Sequence, residues 1–247
     1  MTRQQTFDQL YSLKLHGLAD ALDEQLKNPE MEALSFEERV GLLVDAQYRW
    51  RENRAYAIRL RQAHLKTAAS IEDLNYRHAR RLDRSVVQSL ATCEWIRSRH
   101  NLTILGPSGV GKTYLCCAFV EKACREGFRA LYVPASKLLR QLGVAWADGS
   151  FDRLLARLAR TDLLAIDDFG LVPLADLERR HLLEVLDDRS ESRSTLLASQ
   201  FPVEHWHERI GSPTLADAIV ERILADSHRI ELAGETMRRL EPKEVTS

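Results

Sequence analysis

Eight consecutive residues, Gly106-Pro107-Ser108-Gly109-Val110-Gly111-Lys112-Thr113, fit the pattern GxxxxGK[ST] at every defined position. The glycines allow backbone N–H groups to turn inward around phosphate oxygens, where a side chain would clash. Lys112 supplies a point charge for a β- or γ-phosphate, and the Thr113 hydroxyl is an oxygen ligand for Mg²⁺. A helix starting at Thr113 adds its N-terminal dipole to the same anion. A chance glycine-rich turn would need neither flank. Here an apolar run at 102–105 reads as a strand before the motif, and a helical pattern follows over 113–126.

Binding phosphate is not hydrolysing it, and the second requirement is a carboxylate. The apolar run at 163–166 ends in Asp167-Asp168. In a doubly wound sheet, ligands sit at the carboxyl ends of the strands, so both acids would face the phosphates. Asp167 would then order Mg²⁺ and Asp168 would orient the attacking water. The plainer alternative is an acidic pair that caps the next element. A third run, 195–198, ends in Ser199-Gln200, and a polar side chain at that tip could reach the γ-phosphate or the water.

These motifs need a scaffold, and the pattern supplies an α/β one. Short β-prone runs at 102–105, 130–133, 163–166 and 195–198 alternate with helical stretches of ten or more residues. That alternation predicts a parallel sheet flanked by helices on both faces. Upstream the periodicity is helical only. Leu10, Leu13, Leu18, Leu22 and Leu26 recur at helical spacing until Asn28-Pro29, and Ser35 with Glu38 has capping-box spacing for a helix running to Leu60. The division expected is a helical domain at 1–67 for DNA or a partner, a linker at 68–84, a nucleotide-binding domain at 85–240 and a tail at 241–247.

The chain has 247 residues, 45% of them hydrophobic and 29% charged, with a formal net charge of −1. No apolar run approaches the roughly 20 residues that span a bilayer, and the N-terminal residues form no apolar signal core. The four cysteines have no metal-ligand or disulfide spacing. Membrane, secreted and disordered classes are excluded on this reading, and the cytoplasm is the expected compartment. The near-zero charge conceals a segregation. Residues 8–45 hold nine acidic and three basic side chains, whereas 47–84 hold four acidic and ten basic. A net +6 segment points to an anionic partner, or else to a solvated helix face.

With these motifs in place the chain resembles the AAA+ ATPases of the clade that contains the replication initiator DnaA and the helicase loader DnaC. It is more closely similar to the IstB-like helper ATPases of two-gene insertion sequences. The stretches that carry the resemblance are 101–113, 166–170 (Ile-Asp-Asp-Phe-Gly), 197–200 (Leu-Ala-Ser-Gln), 217–222 (Asp-Ala-Ile-Val-Glu-Arg) and 234–238 (Gly-Glu-Thr-Met-Arg). The resemblance implies an AAA+ P-loop fold that binds ATP and Mg²⁺, with Gln200 as sensor I. It makes Arg222 the arginine that reaches a neighbouring subunit's nucleotide and Arg238 the sensor II arginine. On the residues alone, each arginine could equally be a surface ion-pair member.

The implied partners are double-stranded DNA, a transposase and further copies of the chain joined through ATP sites at subunit interfaces; no membrane is involved. DNA candidates in the basic window are Arg49, Arg51, Arg54, Arg59, Arg61 and Lys66, with Tyr48, Trp50 and Tyr56 interleaved. In the ATPase domain they are Lys137, Arg140, Arg153, Arg157 and Arg160, on two helices expected between the second and third strands. Two departures from the family pattern stand out. Asp168 occupies the usual glutamate position, one methylene shorter, which implies slow turnover. Only about 25 residues follow Arg222, so the C-terminal lid is expected to be reduced or absent. A helicase loader and a non-hydrolysing, ATP-gated DNA scaffold remain the rival functions.

Overall fold

The computed structural model describes residues 2–77 and 80–237. They form two compact units, divided between Ile58 and Arg59. The first unit is helical: α1 (Arg3–Ser12), α2 (His16–Lys27), a 3₁₀ turn at Pro29–Ala33, and the long α3 (Phe36–Gln62), which continues into the second unit. The leucine run at 10–26 is split by Lys14 in a left-handed conformation at φ 61°, so two helices stand where the periodicity suggested one. α3 begins as its spacing predicts. The Glu38 amide donates to Ser35 Oγ, and Glu38 Oε2 accepts from the Ser35 amide at 2.8 Å.

The second unit is an α/β sandwich. In chain order it contains α4 (Arg84–Leu90), α5 (Glu94–Arg97), β1 (Asn101–Leu105), α6 (Lys112–Arg125), β2 (Ala130–Pro134), α7 (Ala135–Asp148) and α8 (Phe151–Ala159). There follow β3 (Leu163–Phe169), α9 (Asp176–Arg189), β4 (Ser194–Ser199), α10 (Trp206–Ile210), α11 (Pro213–Leu224) and β5 (Ser227–Glu231). All five strands are parallel, in the order β2-β3-β4-β1-β5. Strands β1, β3 and β4 are buried along nearly their whole length, which is why they read as unbroken apolar runs. β5, an edge strand of sequence Ser-His-Arg-Ile-Glu, buries only Ile230 and carries no such pattern.

One apolar core fills the space between the sheet and α7, α8, α9 and α11, with Leu138, Leu142, Phe169, Leu182, Trp206 and Ile219 almost fully inaccessible. On the other side α6 buries Leu115, Cys116, Cys117, Phe119 and Val120. Burial pushes the cysteine thiols up, Cys93 and Cys124 to about 11, so they behave as small apolar residues. The stretch expected to link two domains packs on the second unit instead. Ala69, Ile71, Leu74 and Arg80 are buried there, and just before that stretch Ala63 is buried too, its carbonyl accepting from the Tyr132 amide at 2.8 Å. Among the described residues no helix follows β5, and none is long and apolar enough to cross a membrane.

Candidate functional site

The strand order explains why distant motifs meet. β4 lies between β1 and β3, so the segments leaving these three strands emerge side by side at one edge of the sheet, where a doubly wound fold places its ligand. Ser199 ties the three tips together: its carbonyl accepts from the Gly106 amide at 3.2 Å, and its hydroxyl donates to Phe169 O at 2.9 Å.

From β1 the chain turns through 106–111 into α6. Gly109 and Gly111 adopt φ 85° and 95°, which L side chains rarely take. A Cβ on Gly111 would also lie 2.5 Å from Arg80 Nη1, and one on Gly109 would lie 2.0 Å from Thr236 Oγ1. Gly111 is the N-cap of α6, so the first amides of that helix open toward the loop. Lys112 is buried within the loop, its ammonium donating to the carbonyls of Gly106 at 2.7 Å and Pro107 at 2.8 Å.

Adjacent residues on a regular strand point to opposite faces, which would separate Asp167 from Asp168. A bulge in the β3–β4 register between Ile166 and Phe169 resolves this. Asp168 turns into the left-handed region at φ 57° and becomes exposed, while Asp167 stays fully buried. Asp167 Oδ2 accepts from the Thr113 hydroxyl at 2.7 Å and from the Tyr132 hydroxyl at 2.7 Å; its Oδ1 accepts from the Asp168 amide at 2.9 Å. Burial and the neighbouring Asp167 carboxylate push the Tyr132 phenol up, so the phenol is the proton donor of that pair.

Ser108, Gly109, Gly111, Lys112, Thr113, Asp168 and Gln200 line one cavity of about 610 Å³, a size that suits a nucleotide. Its remaining wall is Thr67, Asp73, Asn75, Arg80, Tyr114 and Met237. Of these, Arg80 sits in the stretch read as a linker. Its Nη1 donates to Val110 O at 3.1 Å and its Nη2 to Asn75 O at 3.1 Å, so it braces the loop from outside. Desolvation pushes its guanidinium down. Neither Arg80 nor Tyr132 belongs to a local motif. Only the three-dimensional path of the chain brings them here.

Arg222 is not brought to this cavity. It lies in the last turn of α11, its guanidinium pairs with Asp187 of α9, and its carbonyl accepts from Asn101 at the start of β1. The phosphate loop follows the opposite end of that strand. Arg238 lies outside the described residues. Among the basic candidates, Arg59 donates from Nε to Cys124 O at 2.8 Å, Arg49 pairs with Asp45 at 2.8 Å, and Arg54 lies over the Trp50 ring. Trp50 itself stacks on His16, whereas Tyr48 is exposed. Arg61 and Lys66 are also exposed, as are Lys137, Arg140, Arg153, Arg157 and Arg160 on α7, α8 and the turn after it.

Comparison with known proteins agrees with this architecture. The chain matches the family described as IstB-like ATP binding protein over residues 8–245. It is 45% identical over 239 residues to an insertion sequence ATP-binding protein of Sinorhizobium fredii, covering 97% of this chain and 98% of that one. It is 49% identical over 203 residues to the ATP-binding protein of insertion sequence IS1162 from Pseudomonas fluorescens, covering 82% and 88%. Among solved structures, DnaI superposes with a TM-score of 0.57 at 22% identity, covering 69% of this chain and 90% of that one. AMPPCP-bound DnaA from Aquifex aeolicus gives 0.56 at 20% identity, covering 68% and 51%. At those identities the likeness is one of fold, the AAA+ P-loop sheet. On the extent of the sequence match, supported by that fold and by the phosphate loop it carries, the chain belongs to the IstB-like family of insertion-sequence ATP-binding proteins.

Proposed function

We propose that the protein is a Mg²⁺-dependent ATPase that assembles on double-stranded DNA when ATP is bound, regulates a transposase and releases on hydrolysis. The observation that carries the ATPase reading is the meeting of three sequence-distant segments at the carboxyl ends of the central strands: the phosphate loop with Thr113, the pair Asp167-Asp168 held to it through the Thr113–Asp167 contact, and Gln200. The residues fit Mg²⁺. Thr113 and Asp167 are hard oxygen donors within 2.7 Å of each other, and this metal is ordinarily held by one or two protein oxygens plus the phosphates themselves. Bound there, the ion would neutralise charge on the β- and γ-phosphates. Lys112 would act on the same oxygens, and Asp168 would orient water on the cavity side. Gln200, and Arg238 in its own subunit, would touch the γ-phosphate.

Arg222 is assigned to a neighbouring copy's site. Its position beside the start of β1 supports this, because the chain's own loop follows the other end. An arginine finger needs release from Asp187 before it can reach across, which suits a site completed only on assembly.

The DNA reading rests on charge. Arg129, Lys137, Arg153, Arg157, Arg160 and His64 line an open cavity of about 820 Å³ beside the outer edge of β2, with no carboxylate in its wall. Arg140, Arg153 and Arg157 continue around a second one of about 470 Å³ between α7 and α8. Such a surface contacts phosphates and carries no base-reading pattern, so binding is through the backbone and its deformability. Regulation of a transposase is the reading that the relatives support, since their names place them in insertion sequences.

One observation favours the scaffold alternative: the short Asp168 side chain stands where a glutamate would reach further. Phosphate release measured with and without duplex DNA separates the two. DNA-stimulated turnover, lost in Lys112→Ala together with ATP-dependent DNA binding, is the expected result. ATP-dependent DNA binding without turnover would establish the scaffold. Preference for single-stranded over duplex DNA in competition would favour a helicase loader.

A further inference from the structure

The proposed metal site depends on Asp167, and that residue is held by more than the phosphate loop. β2 and β3 run parallel with Tyr132 opposite Ala165 and Pro134 opposite Asp167. Ala165 and Asp167, two apart, share one face of β3, and Tyr132 stands over the same face. The small Ala165 side chain leaves room for the phenol ring to lean along the strand, and its hydroxyl arrives 2.7 Å from Asp167 Oδ2. Tyr132 is 3% exposed and Asp167 fully buried, so the contact is shielded from bulk solvent.

The three donors on Asp167 have different duties. The Asp168 amide is backbone and belongs to a bulge that must also aim the Asp168 side chain. The Thr113 hydroxyl belongs to the phosphate loop and is the group expected to offer its lone pair to the metal. The Tyr132 hydroxyl lies outside the nucleotide cavity, and among the described residues its hydrogen bond is to Asp167. We infer that Tyr132 is a positioning residue for the metal-ordering carboxylate: it fixes the Asp167 oxygens independently of the phosphate loop, so that Mg²⁺ meets a preformed oxygen donor. The inference rests on the reading of Thr113 and Asp167 as the Mg²⁺ site. Groups that orient a metal's ligands from behind are commonly worth 10–100-fold in metal affinity.

The test is Tyr132→Phe, which keeps the ring and removes one hydroxyl. Binding of a fluorescent ATP analogue would be followed in EDTA and then across a Mg²⁺ titration, beside Asp167→Asn and the double variant. In EDTA the parent and Tyr132→Phe are expected to bind the analogue equally, because the loop and Lys112 are untouched. The Mg²⁺ midpoint is expected to rise about tenfold in Tyr132→Phe. The double variant should match Asp167→Asn alone, because a residue acting only through Asp167 has nothing left to act on. An unchanged midpoint in Tyr132→Phe overturns the inference and leaves the Mg²⁺ site standing. So does an additive loss in the double variant, or equal weakening with and without Mg²⁺, which marks a packing residue. If Asp167→Asn also leaves the parent's Mg²⁺ dependence unchanged, the metal site itself is misassigned and the inference falls with it.

Discussion

The tip of the sheet and the flank made by α7 and α8 both carry positive charge, and they hold it in opposite ways. At the tip a single ammonium, Lys112, is 7% exposed and fixed by two carbonyls of its own loop. On the flank Lys137, Arg140, Arg153, Arg157 and Arg160 are all exposed, and among the described residues none is in an ion pair. A charge held at one point in a dry, preorganised loop recognises a phosphate by position, and a 1 Å error is expensive. A spread of solvated charges recognises a polyanion by field, and each member is nearly replaceable. The first kind of site depends on particular residues at particular spacings, and the second on a sum. Substitutions should therefore be drastic at the tip and graded on the flank.

The steepest effect is expected where the proposed function has a tip residue supplied by another copy. Arg222→Ala should bind ATP normally, because it lies away from its own cavity, yet lose DNA-stimulated hydrolysis by about 10³–10⁵. Mixing it with Lys112→Ala should restore part of the rate, since an intact loop on one chain can then meet an intact Arg222 on the next. Phosphate release by each variant and by the mixture checks this. A mixture that stays inactive although both variants fold and co-assemble would return Arg222 to its ion pair with Asp187.

Asp168→Asn comes next. It keeps the bulge and the Asp167 contacts but removes the charge facing the cavity, so ATP should still bind while turnover falls about 10²–10⁴. Stable DNA-bound assemblies in ATP should accumulate. Hydrolysis at the parental rate would remove Asp168 from the water-orienting role and with it the sharpest part of the contrast between tip and flank.

What could be read from the chain in advance follows the same division. The phosphate loop was legible because its geometry is encoded in eight contiguous residues, and Asp167 because it ends an apolar run. Strands β1 to β4 announced themselves as apolar runs, while β5 did not, its Ser, His, Arg and Glu side chains surrounding a single buried Ile230. The bulge that separates the two acids, and the register that sets Tyr132 over Ala165, are properties of strand pairing and have no local signature. Arg80 was hidden differently. It sits in a run of like charges that reads as a field, whereas the residue is 2% exposed and braces the loop. Charge counts along a sequence cannot separate a solvated arginine from one taken into the core.

The smallest expected effects discriminate between the two basic surfaces, and the structure sorts their members. Duplex affinity should fall with salt at a log–log slope of about −0.9 per phosphate neutralised. Arg140, Arg153 and Arg157 are exposed around the α7–α8 cavities, so replacing all three with Ala should flatten the slope by up to about 2.7 units, alike for every duplex sequence. Arg49, Arg51 and Arg54 on α3 are exposed too, but Arg49 pairs with Asp45 and Arg54 covers Trp50. Their triple replacement should flatten the slope less. Arg59 supplies the internal control. Its hydrogen bond to Cys124 O fastens the end of α3 onto α6, so Arg59→Ala should cost on the order of 1 kcal/mol of stability and leave the slope unchanged. Titrations at four or five salt concentrations, with thermal melts alongside, separate the three cases. A slope change in Arg59→Ala equal to that of a flank arginine would place α3's last turn on the DNA. Equal slopes in the parent and both triple variants would mean that neither surface carries the phosphate contacts.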